Sequence, residues 1–494
     1  MRTSDKIFLL PVIIFSLNLL YRLVDASKLI TTFPLDYVND LASYLAMVHF
    51  FDVYGFLQEV PNWFNGFILF NTYPPGWAVY TYFFYKVFGN LLLATYISTI
   101  SLYILGFIAV YLIGKELRIS LVKRLALFLF VFANPMLIGA VLKQGRLPSF
   151  MALVIFTYLV YIALYFKERQ VNWKIVFLGL IFVLLILTHQ PETVLSGVFL
   201  LGIFLVKKWK ERIVIATVLF CSVLVSSFWL IPFLYYTFTL NFLNIGFANW
   251  LLNFKGYFWN NLIGIILSAS FFVLFYLYYW QRPTRTTLLF FAPVLVLNFL
   301  YLTRLIVFVP ILKFIYPDPF NDFLMFFVAL FLVSIRYREL RRFIKISIAC
   351  ALILFSIMGI WYNMTQTPFF VEHSEEDEHF IELIQKVEGK YIFMATELPD
   401  SYPSAYAAYA AIYYNKSTIH GWGEMFKEYE YTHRLEEYLV AYFEKHNCQP
   451  LLPLLAEYNA TEILTHKEDC SYFIEECGLI EKARSGDACL LKIP

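Results

Sequence analysis

Long apolar runs are the feature that most constrains the fold of this chain. Runs of about 20 residues, the length that crosses a bilayer as an α-helix, recur from Ile7 almost to Tyr362. Membrane-spanning β-strands are shorter and alternate apolar with polar side chains, unlike these runs. Because 60% of the residues are hydrophobic and only 15% are charged, a soluble globular fold is excluded. The sequence therefore predicts an α-helical bundle integral to a membrane.

We predict about eleven transmembrane helices from these runs. They lie near residues 7–24, 91–113, 125–142, 148–166, 174–188, 193–206, 213–237, 258–280, 287–302, 321–335 and 345–362. The two runs at 174–188 and 193–206 are short for a bilayer, so a helical pair that meets below the outer surface is the alternative there. Residues 24–26 also fit a signal-peptide cleavage site, which leaves a cleaved leader as the alternative for the first run.

Basic residues are concentrated in every second loop. With a cytoplasmic N-terminus, the inner loops carry clusters at 115–124, 207–212 and 336–342, whereas outer connections carry mostly single basic residues. Since cytoplasmic loops hold the excess of Lys and Arg, this pattern predicts a plasma-membrane protein whose residues 363–494 lie outside the cell. Residues 1–362 then form the membrane module. The net charge of +2 follows this topology and forms no patch for nucleic acid.

The tail has a different character from the membrane module. Four consecutive acidic residues begin at Glu375, and the strand-like segments 391–396 and 461–466 alternate with helical stretches such as 428–446. This pattern predicts a small exterior α/β domain. An exterior location also permits two disulfides among four cysteines near the end of the chain, with three pairings open. These are Cys448, Cys470, Cys477 and Cys489.

The first outer connection, residues 25–90, carries the most informative polar pattern. Carboxylates stand among aromatic residues at Asp36, Asp40, Asp52 and Glu59. Asp36 and Asp40 are one helical turn apart, and the alternative to a chemical role is that they cap or solvate a surface helix. After the prolines at 74–75, the sequence predicts an amphipathic helix in the membrane interface, with aromatic residues facing lipid.

The order of motifs in this connection resembles the first loop of the GT-C superfamily of membrane glycosyltransferases. The motifs are an acidic residue, an aliphatic helix, Gly55, Trp63, Gly66, the turn Tyr73-Pro74-Pro75 and Phe88-Gly89. Segments 145–148 (Gly-Arg-Leu-Pro) and 187–192 (Leu-Thr-His-Gln-Pro-Glu) fit the same group. The resemblance covers most of the membrane part. It is greatest to membrane proteins called 6-pyruvoyl-tetrahydropterin-synthase-related, a group akin to a mycobacterial arabinofuranosyltransferase and to YfhO-type glycosyltransferases.

The resemblance implies inverting transfer of a sugar from a polyprenyl-phosphate donor to a cell-surface glycan, glycolipid or protein acceptor. It also implies an acidic first-loop residue as general base. Asp40 matches that position best by its distance to Gly55 and Trp63, and Asp36 is the alternative. Chemistry agrees, because a carboxylate that takes the proton of an acceptor hydroxyl makes it a better nucleophile. A divalent metal ion such as Mg²⁺ or Mn²⁺ is the one cofactor left open, and no metal ligands are assigned.

Polar residues at the outer ends of two spans are candidates for substrate binding. Arg146 and Lys143 suit a lipid phosphate, although basic side chains also snorkel at an interface. His189 and Glu192 follow an apolar helix, and such a cluster is costly unless it meets partners or a water-filled cavity. A buried helix cap, with Glu192 paired to Arg146, is the alternative.

Three further candidates lie in the outer loops. Trp63 and Tyr73 belong to the first loop, where aromatic rings stack on sugars or anchor the chain in the lipid interface. Arg304 belongs to the last outer loop, which also holds Asp318 and Asp322. The related proteins tend to show an arginine near the start of the following span. Here residues 319–323 replace it, which weakens the transfer of substrate contacts to this loop.

Two other classes of function compete with sugar transfer. A transporter or flippase of lipid-linked glycans would show charges at mid-bilayer and broken, repeated helices, whereas here the polar residues concentrate at one face. A non-enzymatic surface protein would need only one or two spans as an anchor. The sequence has no Walker lysine loop, no dinucleotide-binding glycine motif and no cytoplasmic Asp-x-Asp cluster. A donor already attached to membrane lipid is therefore the simplest sugar source.

Overall fold

The membrane part of the protein is a helical bundle, as predicted. The computed structural model describes residues 6–35, 40–142, 144–239, 250–365, 369–394, 402–422 and 448–494. Within these ranges, seven helices are long and apolar enough to cross a membrane. They are Lys6–Ala26, which continues as a 3₁₀ turn to Ile30, and Leu91–Glu116, Leu147–Glu168, Phe258–Trp280, Arg285–Leu302, Pro317–Ser334 and Arg342–Thr365.

Two further spans are broken. Leu121–Phe132 and Pro135–Leu142 meet at 52°, and Trp209–Val225 meets the next helix, Ser227–Thr239, at 73°. The first break falls at Asn134, whose side-chain oxygen accepts the backbone N–H of Leu137 at 3.0 Å and so begins the second helix. If each bent pair is one span, the described residues contain nine spans.

The short pair Ile175–Thr188 and Gln190–Val206 accounts for the remaining predicted spans. At 1.5 Å per residue these helices are about 21 and 26 Å long, below the roughly 30 Å of a bilayer core. They are separated by His189, whose extended backbone (φ −161°, ψ 125°) precedes Pro191 in the first turn of the second helix. Every predicted span thus corresponds to a helix or a helix pair, while length and composition qualify seven to nine of them as complete crossings.

The most enclosed helix in the bundle is Pro317–Ser334. In its most apolar window, 83% of the residues are buried inside the protein, against 17% for Arg342–Thr365. Phe327 packs against Phe199, Phe271 and Phe323 at ring-centroid distances of 5.0 to 6.4 Å. Shape packing of this kind holds helices together in lipid, where hydrophobic burial adds little. Asp318 and Asp322 therefore stand at one end of a central helix.

The first loop is folded and lies on the bundle. It contains the helix Leu41–Val53, the short hairpin Glu59–Val60 with Phe67–Ile68, and the helix Gly76–Phe88. The last of these confirms the amphipathic helix expected after the prolines. It buries Trp77 and Thr81 but leaves Phe83 66% exposed.

The C-terminal part is a small α/β domain, as predicted. Its strands stand in the order Tyr391–Phe393, Glu462–His466, Ala488–Lys492, Ile480–Ser485, with the first pair parallel and the others antiparallel. Its described helices are Glu375–Lys386, Tyr402–Tyr414, Cys448–Glu457 and Glu468–Glu475. The helical stretch expected at 428–446 lies outside the described residues.

The four cysteines of this domain form two disulfides, as expected. The structure selects one of the three open pairings, Cys448 with Cys477 and Cys470 with Cys489, with Cα–Cα distances of 5.6 and 6.0 Å. The linked residues are 29 and 19 positions apart in the chain. For loops of that length, restriction of the unfolded chain contributes about 3 to 4 kcal/mol per bridge.

The C-terminal domain is docked on the first loop. The backbone N–H of Thr418 donates to the carbonyl of Asn62 at 2.8 Å, and that of Phe64 donates to the carbonyl of His420 at 3.2 Å. The Asn62 amide also donates to the carbonyl of Lys416 at 3.0 Å. These contacts join segments more than 350 residues apart, so the first loop and the C-terminal domain lie on the same face of the bundle.

Candidate active site

The position of Asp40 is fixed by a close approach between the first loop and the turn before Leu147–Glu168. The Asp40 backbone N–H donates to the carbonyl of Gln144 at 2.8 Å. Gly145 adopts φ +69°, and a Cβ there would stand 2.5 Å from the Cβ of Leu41. Only glycine accommodates both the left-handed backbone and this contact. The local sequence Gly145-Arg146 therefore brings an arginine beside the aspartate.

The Asp40 carboxylate does not serve as a helix cap. Asp40 precedes Leu41–Val53 in a helical conformation, and its side chain makes no capping hydrogen bond. Instead, the indole N–H of Trp422, from the C-terminal domain, donates to Asp40 Oδ1 at 3.0 Å. Burial raises the pKa of Asp40, while the Trp422 hydrogen bond and the Arg146 charge act in the opposite direction. Groups from two other parts of the chain thus act on the proton affinity of this carboxyl.

Arg146 is held by Asp318, from the helix Pro317–Ser334. Its guanidinium donates to Asp318 Oδ2, and Asn260 donates to Asp318 Oδ1 at 3.0 Å. The Arg146 side chain remains 40% exposed, and no second hydrogen-bond acceptor reaches it among the described residues. The alternative in which Arg146 pairs with Glu192 is therefore wrong, because its partner is Asp318.

His189 and Glu192 form the second polar pair of the site. The Nδ1 of His189 contacts Glu192 Oε2, and the hydroxyl of Ser149 donates to Glu192 Oε1 at 2.6 Å. Their side chains are 17% and 8% exposed. A Cβ at Gly76, in the first loop, would stand only 2.6 Å from the carbonyl oxygen of Leu187 and from Thr188 Oγ1, just before His189. The break between the two short helices therefore faces the same region as the first loop.

Tyr73 lies in the group of aromatic side chains beside Asp40. Its hydroxyl shares a 2.7 Å hydrogen bond with that of Tyr44, and Trp422 packs against both rings at 4.7 and 5.3 Å. Burial raises the pKa of Tyr73, so this hydroxyl is neutral at physiological pH. Contacts thus join Asp40 and Tyr73 through Trp422. Glu192 contacts His189 and Ser149, and Ser149 lies three residues after Arg146, at the start of the same helix.

The other candidates lie elsewhere. Trp63 is fully buried between Phe50 and Phe67, and its indole N–H donates to the carbonyl of Ala407 at 3.4 Å. This burial corrects the expectation that it faces a sugar or lipid. Arg304 adopts φ +63°, lies over the Tyr301 ring at 5.6 Å and donates to the carbonyl of Asn261, the residue after the Asn260 that binds Asp318.

Asp36 and Lys143 lie outside the described residues. In the part of the chain that the structure describes, no three His, Cys, Asp or Glu side chains come close enough to hold a metal ion. We therefore derive no step through a metal.

Sequence reasoning missed Trp422 and the role of Asp318. Trp422 is 382 residues from Asp40 in the chain, and Asp318 is 172 residues from Arg146. Trp422 stands in the segment His420-Gly421-Trp422-Gly423, where the glycines are the only visible signal of close packing. A Cβ at Gly421 would lie 2.4 Å from the Phe64 ring.

Solved structures share this fold across almost the whole chain. The oligosaccharyltransferase of Archaeoglobus fulgidus matches with a TM-score of 0.60 at 10% identity, covering 94% of this chain and 69% of that one. ArnT of Cupriavidus metallidurans matches with a TM-score of 0.55 at 12% identity, covering 97% of both chains. The mycobacterial arabinofuranosyltransferase AftD matches with a TM-score of 0.60 at 11% identity over 97% of this chain, which spans only 41% of AftD. At these identities the likeness shows the GT-C fold alone.

Among curated proteins no sequence matches. Residues 76–367 match a family of membrane proteins described by its 6-pyruvoyl-tetrahydropterin synthase related domain. That segment includes Arg146, His189, Glu192 and Asp318 and is more than half of the chain. The chain therefore belongs to the 6-pyruvoyl-tetrahydropterin synthase related family of membrane proteins and has the GT-C fold.

Proposed function

We propose that this protein is an inverting glycosyltransferase that acts at the outer face of the plasma membrane. In this proposal it transfers a sugar from a polyprenyl-phosphate or polyprenyl-diphosphate donor to a glycan, glycolipid or protein acceptor of the cell surface. One observation supports the proposal most strongly: Asp40 and Arg146 lie close enough for the arginine charge to act on the carboxyl. They are brought together by the Asp40–Gln144 backbone hydrogen bond and by the contact of Gly145 with Leu41. A base and a phosphate-binding cation are the two groups that this reaction requires.

Asp40 is the proposed general base. As the acceptor hydroxyl attacks the anomeric carbon of the donor sugar, its proton passes to the carboxylate and the new glycosidic bond forms. The bond between the anomeric carbon and the phosphate oxygen breaks, and the lipid phosphate leaves with the bonding electrons. One displacement inverts the configuration at that carbon and requires no covalent bond to the protein. Asp36, one helical turn earlier, is the alternative base.

Arg146 is the proposed partner of the departing phosphate. A guanidinium has five N–H donors and binds phosphate through a planar fork, and Asp318 engages Arg146 at Nη1. The 40% exposure of its side chain leaves room for a second anionic partner. His189, beside Glu192 and Ser149, is proposed as a further substrate contact, and Lys143 as a second cation for the phosphate.

The solved relatives support a lipid-linked donor. ArnT has been solved with undecaprenyl phosphate, with a TM-score of 0.53 and 12% identity to this chain. The archaeal oligosaccharyltransferase has been solved with dolichol phosphate and an inhibitory peptide, at a TM-score of 0.50 and 11% identity. Both ligands are long prenyl chains ending in a phosphate, which suits an active site at the membrane surface.

The proposed orientation predicts which cysteines react from outside the cell. In a background with Cys221 and Cys350 replaced by serine, Lys115→Cys and Arg338→Cys should be shielded from a membrane-impermeant maleimide in intact cells. Asn459→Cys should be labelled, since its domain lies outside. All three positions are exposed in the structure, so permeabilised cells should label all of them. Labelling of position 115 or 338 in intact cells contradicts the orientation.

The function itself is tested with purified protein in lipid nanodiscs. We expect labelled sugar to move from at least one member of a panel of polyprenyl-phosphate and polyprenyl-diphosphate donors to a cell-envelope extract, with product of inverted anomeric configuration by NMR. The Asp40→Asn variant in the same nanodiscs is the blank. A protein that transfers no sugar but moves a fluorescent lipid-linked sugar between the leaflets of a vesicle would be a flippase instead.

A further inference from the structure

Trp422 connects the C-terminal domain to the candidate base. Its indole N–H donates to Asp40 Oδ1 at 3.0 Å, while its ring packs against Tyr44 and Tyr73. The hydroxyls of those two tyrosines form a hydrogen bond with each other at 2.7 Å, which fixes the rings that the indole contacts. Among the described residues, no donor other than Trp422 reaches the Asp40 carboxylate. In the proposed reaction, Oδ2 is the oxygen that takes the proton of the acceptor.

The backbone that carries Trp422 is anchored at two neighbouring points. Thr418 and His420 make backbone hydrogen bonds with Asn62 and Phe64 of the first loop. Next in the chain, Gly421 lies so close to the Phe64 ring that a Cβ would collide with it. The indole is thus presented to Asp40 by a rigid contact between the domain and the loop.

Trp63 lies in the same interface between the first loop and the C-terminal domain, but its environment differs from that of Trp422. Trp63 is fully buried, and its N–H donates to a backbone carbonyl, that of Ala407. Trp422 instead gives its N–H to a carboxylate, and hydrogen bonds to charged acceptors are roughly twice as strong as those between neutral groups. Such a bond fixes the direction of the carboxylate as well as its proton affinity.

We propose that the C-terminal domain completes the active site, with Trp422 as a positioning residue that orients the Asp40 carboxylate toward the acceptor. This inference rests on the proposed glycosyltransferase function. It means that sugar transfer requires the docked domain, and that the domain is part of the catalytic machinery in addition to any role in binding the acceptor.

The sign of the expected pH effect follows from the groups that face Asp40. Trp422 and Arg146 lower its pKa, while burial raises it. Tyr44 and Tyr73 face it as neutral hydroxyls, and burial lowers the pKa of His420, on the Trp422 segment, to about 4. Loss of the indole N–H removes a stabiliser of the charged carboxylate. The pKa of Asp40 must then rise, and the acid limb of the rate profile must move to higher pH.

The test compares wild type with Trp422→Phe and with β-(3-benzothienyl)alanine at position 422, an isostere of tryptophan that lacks only the N–H donor. We expect the acid limb of kcat/KM to move up by about one pH unit. At any pH on the acid side of both limbs the rate should fall about tenfold, and above both limbs it should return to within about threefold of wild type. Trp229→Phe is the control, because Trp229 is buried and donates to the carbonyl of Phe70 of the same loop. Its profile should superimpose on that of wild type.

A second measurement needs no turnover. Carbodiimide reacts with protonated carboxyls, so labelling of Asp40 followed by mass spectrometry should give a half-labelling pH that rises by the same amount in both position-422 variants. An unchanged half-labelling pH in the folded isostere protein overturns the inference, whatever the rates. If the half-labelling pH shifts in the variants but the wild-type protein transfers no sugar, the proposed function is wrong. The contact between Trp422 and Asp40 would then have no catalytic role.

Discussion

Replacing Asp40 with asparagine should lower the rate of sugar transfer by roughly 100- to 10,000-fold, the range expected when a general base is lost. Asparagine keeps the size of the side chain and an Oδ1 that accepts the Trp422 N–H. It lacks only the basic oxygen. The loss should appear in kcat at saturating donor and acceptor, measured with purified protein in nanodiscs, because the variant still offers the same surface to both substrates.

The structure predicts that this variant folds normally. The helix Leu41–Val53 begins without a side-chain cap from Asp40, so its first turn does not depend on the carboxylate. Thermal unfolding and elution in detergent should match those of wild type. A change in either would mean that the lost activity reports on the fold.

The matched control is Asp52→Asn on the same helix, about 18 Å along its axis from position 40. Asp52 pairs with Lys86 at the surface, and exposed ion pairs of this kind contribute 1 kcal/mol or less. Its variant should keep wild-type turnover. If Asp36→Asn abolishes transfer while Asp40→Asn does not, the base is one helical turn earlier. If both variants turn over normally, the first-loop mechanism is wrong and a flippase becomes the better hypothesis.

The fold was predictable because lipid imposes simple rules on a sequence. The apolar runs, the two short helices around His189 and the amphipathic helix after Pro75 all depend on local composition and spacing. The α/β character of the C-terminal domain follows in the same way from the alternation around 391–396 and 461–466. What composition does not reveal is how a span bends, since the breaks at Asn134 and Ser226 depend on local capping and packing.

The candidate site was predictable only in pieces. Asp40, Arg146 and the pair His189–Glu192 each stood out as polar residues in apolar surroundings. Their arrangement did not, because it depends on contacts such as Gly145 against Leu41. A polar residue close in the chain, such as Glu192, is a natural partner to assign to Arg146, yet the fold supplies Asp318 from the central helix.

Arg146→Ala should weaken the apparent affinity for the donor by about 10- to 150-fold, or about 1.5 to 3 kcal/mol, the range for a lost hydrogen bond to a charged group. The effect should appear mainly as a higher KM for the donor, with a smaller change in KM for the acceptor. For donor analogues that lack the phosphate, Arg146→Ala should change the affinity little, because these analogues have no phosphate for Arg146 to contact. Steady-state rates at varied donor and fixed acceptor measure this.

Arg146→Ala should also raise the pKa of the proposed base, Asp40. The Arg146 charge lowers the pKa of Asp40, so its removal raises that pKa and moves the acid limb of the rate profile to higher pH. Donor KM must therefore be compared at a pH above the limb for both proteins. Measured on the acid limb, the loss would combine both effects and overstate the phosphate contact.

Arg146→Lys separates the two roles of the arginine. Lysine keeps the positive charge near Asp40, so the acid limb should stay close to that of wild type. It lacks the planar fork that binds two phosphate oxygens at once, so donor KM should stay raised. Lys28→Ala is the control for charge alone, since Lys28 is 46% exposed and pairs only loosely with Asp25 and Glu372, at 3.8 and 3.7 Å. If Arg146→Ala leaves donor KM unchanged above the acid limb, the arginine serves Asp40 and the phosphate is bound elsewhere.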